Sequence, residues 1–156
     1  MGLISFMKGV GQKLFGKDEV EVPAAKAPEV EPLRASKLLE HVKSLGLKYN
    51  SLTVKTNGDT VTIQGEVQAQ EDAEKIALAV GNVEGVAVVD NQMTVAEPKE
   101  EAKYHTVEKG DTLSKIAKEY YGDMMKYPVI FEANKPMLTD PDLIYPGQVL
   151  RIPPLS

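Results

Sequence analysis

The stretch that decides the fold lies at residues 104–122 and reads YHTVEKGDTLSKIAKEYYG. Its first four residues read as a short strand, since β-branched and aromatic residues suit a pleated surface. Asp111 and Thr112 follow, and either side chain can accept hydrogen bonds from the free N–H groups at the start of a helix. The apolar residues of that helix recur at the spacing of one helical face: Leu113, Ile116, Ala117 and Tyr120. Gly122 then provides a C-terminal stop.

Two further runs complete this region, IFEANKP at residues 130–136 and IYPGQVLRIP at residues 144–153. The first belongs to a second helix over about 125–134, which ends where Pro136 prevents its continuation. The second contains a proline-glycine turn followed by a short apolar strand. The order β-α-α-β and the three motifs closely resemble a LysM domain, with bounds at residues 103–154.

The LysM resemblance implies binding of glycans that contain N-acetylglucosamine, such as peptidoglycan, in a groove between two loops. In this chain the groove residues correspond to Gly110, Asp111, Thr112, Leu113, Leu143, Ile144 and Tyr145. The glycine and the helix cap are also required by the turns of the fold when no sugar is bound. Glycan contact, interdomain contact and a purely structural role therefore all remain open for these residues.

A second domain is predicted over residues 33–95. A helix at 34–46 precedes two alternating strands joined by Asn57-Gly58-Asp59, a strong hairpin signal. A helix at about 69–80 and a valine-rich strand from Val86 follow. The order α-β-β-α-β, the run VTIQGEV at 61–67 and the run GNVEGV at 81–86 resemble a BON domain. The whole chain is thus expected to be an α+β protein.

The remaining segments flank these domains. Apolar residues at helical spacing predict an amphipathic N-terminal helix over residues 1–16, docked on the protein rather than on a membrane. They are Leu3, Met7, Val10 and Leu14. The proline-, alanine- and glutamate-rich stretch at 17–32 is expected to be an extended linker, and residues 96–102 a second, charged linker.

Composition excludes several classes of function. The net charge is −5 and the sequence holds no basic stripe, so no nucleic-acid partner is expected. No run approaches the roughly 20 apolar residues that span a bilayer, so stable membrane insertion is not expected. The N-terminus lacks a signal-peptide pattern, which favours a cytoplasmic protein. His41 and His105 belong to no catalytic motif, and the chain is expected not to be an enzyme.

Taken end to end, the chain is similar to the bacterial cytoplasmic potassium-binding proteins, in which a LysM domain follows a BON domain. The resemblance implies selective K⁺ binding by a monomer that compacts on binding, with an unidentified protein partner downstream. K⁺ is held by neutral oxygens such as backbone carbonyls, whereas a carboxylate cage favours Ca²⁺ or Mg²⁺. The two competing hypotheses are an envelope protein that binds glycan and a protein–protein adaptor.

Free carbonyls are expected at the helix end Val80-Gly81-Asn82, where the last turn lacks intrahelical partners and the helix dipole is negative. The resemblance directs attention to this loop and to the N-terminal segment. The hypothesis is that one K⁺ is enclosed by the carbonyls of Met7, Val10, Phe15, Gly81, Val83 and Val86. For Gly81 and Gly85, ordinary turn chemistry is an equal explanation.

Overall fold

The computed structural model describes residues 2–15 and 27–155. In the N-terminal domain the elements are β1 (Gly2–Ser5), α1 (Ala27–Ser44), β2 (Ser51–Asn57), β3 (Thr60–Ala69), α2 (Gln70–Gly81) and β4 (Val88–Glu97). In the C-terminal domain they are β5 (Lys103–Thr106), α3 (Leu113–Tyr121), a 3₁₀ turn (Met124–Lys126), α4 (Tyr127–Ala133) and β6 (Val149–Ile152). The α+β class is confirmed, with both predicted element orders present.

The larger sheet has the strand order β1-β4-β3-β2. β2 and β3 form the predicted hairpin, whose turn uses Gly58 at φ +63°. β3 and β4 are parallel, so α2 makes the crossover between them. Alternate residues of β3 meet α1 and α2 in one core, which includes Leu38, Val42, Val61, Ile63, Val67, Ile76 and Val80.

The N-terminal helix predicted over residues 1–16 is wrong for the part that the structure describes. Residues 2–5 instead form β1, which pairs antiparallel with β4 and aligns Ile4 with Val89. Turns and one isolated bridge at Gln12 follow. Two glycines weaken a helix here, and the edge of β4 offers backbone partners that a short exposed helix lacks. Gly11 adopts φ +121°, which is outside helical geometry.

α1 begins at Ala27, seven residues before the predicted start, so residues 27–32 are helical and not linker. Pro28 lies in the first turn, where a backbone N–H has no intrahelical partner to lose. Val30 is buried against the domain, and the Glu31 carboxylate accepts a 2.8 Å hydrogen bond from the Gly58 N–H. These contacts stabilise a turn that the prolines disfavour. The rest of the predicted linker, residues 17–26, lies outside the described residues.

The C-terminal domain has an antiparallel β5–β6 pair packed on α3 and α4. The Thr112 hydroxyl caps α3 by accepting from the Lys115 N–H at 3.1 Å, and Gly122 ends that helix at φ +75°. No helix among residues 2–15 and 27–155 is long and apolar enough to cross a membrane.

The two domains are docked through α2 and β6. The Arg151 guanidinium contacts the Glu74 carboxylate at 2.9 Å from Nε and 2.8 Å from Nη2, and both side chains are buried. β4 extends to Glu97, into the predicted second linker. At the other end of that linker, Ala102 is buried and donates its N–H to Glu74 at 3.0 Å.

Candidate functional site

The N-terminal segment (residues 6–12) lies along the α2–β4 loop (residues 82–87), joined by backbone hydrogen bonds. Gln12 donates to the Asn82 carbonyl at 2.8 Å and accepts from the Glu84 N–H at 3.0 Å. The Gly85 N–H donates to the Lys8 carbonyl at 2.8 Å, and Phe6 donates to Ala87 at 2.7 Å. The two stretches singled out for ion binding are therefore in direct contact.

Gly81 is the point at which this contact would not tolerate a side chain. It lies within α2, and a Cβ added there would fall 1.9 Å from Cζ of the Phe6 ring. A Cβ at Gly11 would lie 2.6 Å from the Asn82 carbonyl oxygen. Both glycines thus serve the docking of the N-terminal segment. For Gly81 this close approach replaces the turn chemistry considered from the sequence.

Five of the six predicted ion ligands belong to these two stretches or to the adjoining end of α2. The Met7 carbonyl accepts from the Val10 N–H at 3.3 Å, and the Val83 carbonyl accepts from the Val86 N–H at 3.1 Å. A carbonyl oxygen has two lone pairs, so each of these can also face a cation. Gly81 lies in the last turn of α2.

Phe15, the sixth predicted ligand, lies three residues beyond the segment. Its ring packs on the BON core and stands 4.9 Å from the Arg34 guanidinium carbon. This contact involves the side chain, and the Phe15 carbonyl stays a predicted ligand.

An ion pair between Lys8 and Asp59 lies beside this contact. Lys8 Nζ lies 3.9 Å from the Asp59 carboxylate, and both side chains are well exposed. Within the described part of the chain, no three His, Asp or Glu side chains come together as a metal site. The negative end of the α2 dipole points toward the loop. The negative end of a helix dipole favours a nearby cation.

The first predicted glycan loop is held together by its own side chains. The Asp111 carboxylate accepts from the Glu108 N–H at 2.9 Å and contacts His105 Nε2 at 2.9 Å. These two hydrogen bonds hold the pKa of Asp111 below its usual range. Leu113 is buried in the LysM core, and Gly110 adopts φ +88° in the turn. With Thr112 capping α3, each of the four residues has a structural role.

The second predicted glycan loop faces the other domain. Leu143 and Tyr145 line a cavity of about 340 Å³ between the domains, while Ile144 packs on the LysM core. The opposite wall of this cavity is formed by Gln12, His41, Leu45, Ala79 and Asn82. Burial lowers the pKa of His41. Of the roles left open for Leu143 and Tyr145, interdomain contact is the one that these neighbours support.

Sequence reasoning missed the residues that join the domains. The Asn82 side chain pairs with both backbone groups of Val149, and Gly147 makes room for Val10, whose Cγ2 would lie 2.5 Å from an added Cβ. The available signal was the run IALAV at residues 76–80 of α2, because five consecutive apolar residues cover more than one helical face. A helix that is apolar over more than one face packs against more than one neighbour.

Comparison with known proteins identifies both domains. The BON domain family matches residues 32–97, and the LysM domain family matches residues 105–153. The chain is 42% identical to the potassium binding protein Kbp of Escherichia coli O6:H1 (strain CFT073) over 154 residues, which cover 98% of this chain and 99% of that protein. It is also 37% identical to an uncharacterized protein of Deinococcus radiodurans over 131 residues, 76% of this chain and 51% of that one.

Proposed function

Because the chain belongs to the family of the potassium binding protein Kbp, we propose that it is a selective K⁺-binding protein that becomes more compact when the ion binds. The observation that carries this proposal is the set of backbone hydrogen bonds between the N-terminal segment and the α2–β4 loop. These bonds hold the turn at residues 7–10, the turn at residues 83–86 and the end of α2 next to one another. The proposed ligands there are the carbonyls of Met7, Val10, Phe15, Gly81, Val83 and Val86.

Selectivity for K⁺ follows from ligands of this kind. Carbonyl dipoles can replace the loosely held hydration shell of K⁺, whereas smaller and more strongly hydrated ions lose more on dehydration. Ca²⁺ and Mg²⁺ favour carboxylate ligands, and the exposed Asp59 is already within 3.9 Å of Lys8. A site of backbone oxygens therefore discriminates by ion size and charge.

Compaction follows because the N-terminal segment also contacts the LysM domain. Val10 and Met7 lie against Gly147, 2.5 Å and 3.1 Å from the position of an added Cβ. An ion that orders the turn between Met7 and Val10 also orders the surface on which Gly147 rests. The LysM domain is thus the proposed responder to the ion.

Titration calorimetry of the full chain with KCl and with NaCl, at ionic strength held constant, tests the proposal. Heat and a decrease in radius of gyration are expected with KCl and not with NaCl; equal responses to both ions would refute selectivity. Removal of residues 1–16 should abolish the K⁺ response while circular dichroism shows the domains still folded. A truncated protein that still binds K⁺ would remove the N-terminal carbonyls from the ligand set.

Glycan binding is a second candidate, supported by the LysM match and by the Leu143 side chain, which is 62% exposed. Sedimentation of the protein with purified peptidoglycan sacculi tests it. Retention that a Leu143→Asp substitution abolishes would establish glycan binding through this loop. Absence of retention with and without KCl would reject it.

A further inference from the structure

Asn82 is the residue at which the candidate ion loop meets the LysM domain. Its side chain is almost fully buried, and its Oδ1 accepts from the Val149 N–H at 2.9 Å. Its Nδ2 donates to the Val149 carbonyl at 2.8 Å and also lies 3.4 Å from the Met137 sulfur. The amide therefore binds the first residue of β6 as a neighbouring strand would, with both partners satisfied.

The backbone of the same residue belongs to the ion loop. The Asn82 N–H donates to Leu78 at 2.9 Å and ends α2, while its carbonyl accepts from the Gln12 N–H at 2.8 Å. Any shift of the N-terminal segment is thus transmitted to the Asn82 peptide. Because the side chain is held at both of its polar atoms, the shift is carried on to Val149.

A second contact between α2 and β6, the ion pair of Glu74 and Arg151, provides a control for the role of Asn82. Glu74 binds Arg151 two helical turns before Asn82, through buried charges 2.8 Å apart. Glu74 also accepts from the Ala102 N–H at 3.0 Å and from the Gln70 amide at 3.3 Å, and neither partner belongs to the N-terminal segment or to the α2–β4 loop. This ion pair holds the domains together without touching the proposed ion site.

We propose that Asn82 is the positioning residue that couples K⁺ occupancy of the α2–β4 loop to docking of the LysM domain. The inference rests on the proposed K⁺-binding function. Coupling of this kind is a difference in docking free energy between the ion-free and ion-bound protein, and it operates in both directions. A contact that merely holds the domains together changes docking equally in the two states.

The test compares full-length Asn82→Ala with full-length Glu74→Gln. For each, calorimetry gives the K⁺ affinity, and small-angle scattering gives the radius of gyration in KCl and in NaCl at equal ionic strength. We expect Asn82→Ala to bind K⁺ with affinity lowered by about fivefold or more and to lose the K⁺-induced compaction. We expect Glu74→Gln to keep that compaction, because its docking is weakened in both states.

Several outcomes would overturn the inference. Compaction of Asn82→Ala to the wild-type extent would show that Asn82 transmits nothing, and loss of compaction in both variants would make Asn82 an ordinary docking contact. Asn82→Asp keeps the size and one acceptor, so it replaces the alanine variant if that variant does not fold. Since Asp removes the donor to Val149, it should also reduce the compaction. A wild-type protein that gives no response to KCl would instead refute the proposed function itself.

Discussion

Two loops of this molecule were expected to bind ligands, and they are held in opposite ways. The LysM loop at residues 108–113 is ordered by side chains, with the Asp111 carboxylate and the Thr112 hydroxyl bound to groups within seven residues along the chain. The α2–β4 loop at residues 82–87 is held by backbone bonds to a segment about 70 to 80 residues earlier. The bonds of these side chains are local, whereas the second loop is bonded to a distant part of the chain.

The difference shows where a response to an ion can arise. The side chains of the LysM loop already bind one another. A ligand could enter only by breaking those bonds, so the net gain in binding free energy would be small. A contact between two distant segments is lost by local opening, and a ligand that bridges the segments favours the closed form. The N-terminal contact should therefore respond to an ion more strongly than the LysM loop does. Substitutions in the two regions should differ in their effect on K⁺ affinity.

The largest effect is expected from Gly81→Ala, which breaks the long-range contact. Its Cβ would meet the Phe6 ring, and such overpacking costs roughly 1–3 kcal/mol, or about 5- to 150-fold in affinity. Calorimetry should show K⁺ affinity lowered by that factor. Gly9→Ala is the matched control, since nothing lies within 4 Å of its Cβ. Equal K⁺ affinities for the two variants would contradict the assignment of Gly81.

A smaller effect is expected from Thr112→Ala, which disturbs the local loop. Loss of the helix cap should lower the free energy of unfolding of the LysM domain by about 1 kcal/mol, measured by urea denaturation. K⁺ affinity should remain unchanged, because the hydroxyl bond found among the described residues is to Lys115, within the LysM domain. Thr112→Ser, which retains a hydroxyl acceptor, should restore most of the stability. A fall in K⁺ affinity with Thr112→Ala would show that the two loops are not independent.

The smallest effect is expected from pH at Asp111. The Glu108 N–H and His105 hold the pKa of this carboxyl below its usual range. A lowered folded-state pKa contributes stability that is present above the unfolded-state value of about 4 and is lost as pH falls through the folded value. The melting temperature of the wild type should therefore fall more steeply than that of Asp111→Asn between about pH 5 and 2. Parallel curves would exclude this contribution, which solvent screening keeps below about 1 kcal/mol.

Sequence reasoning predicted the two domains well because their patterns are local. The alternation in β2 and β3, the Asn57-Gly58 turn and the apolar face of α3 each fix an element within a few residues. The N-terminal stretch was misassigned because its apolar residues also suit a strand and turns packed on a core. The choice between a helix and a strand depends on the open edge of β4, which lies more than 80 residues away along the chain.

The candidate site was predicted only in part. The N-terminal segment and the α2–β4 loop were chosen from a resemblance and from the expected end of a helix, and the structure brings these segments together. The sequence shows Asn82 only as part of a helix end, because a polar residue after a glycine gives no sign of a partner 67 residues later. Glu74 was overlooked because a charge on a helix is usually solvated, and only its burial against Arg151 distinguishes it.

The sequence by itself determined the two domain folds, the caps and turns within them and the locally bonded LysM loop, since each depends on side-chain chemistry over short spans. Only the tertiary structure decided that residues 2–5 form a strand, that Gly81 accommodates Phe6, and that Asn82 and Glu74 bind β6. The physical reason is that these contacts join residues far apart in the chain, and most of them involve backbone groups or the absence of a side chain. Every residue carries a carbonyl and an N–H, so their pairing depends on where the chain brings them and not on which residue bears them.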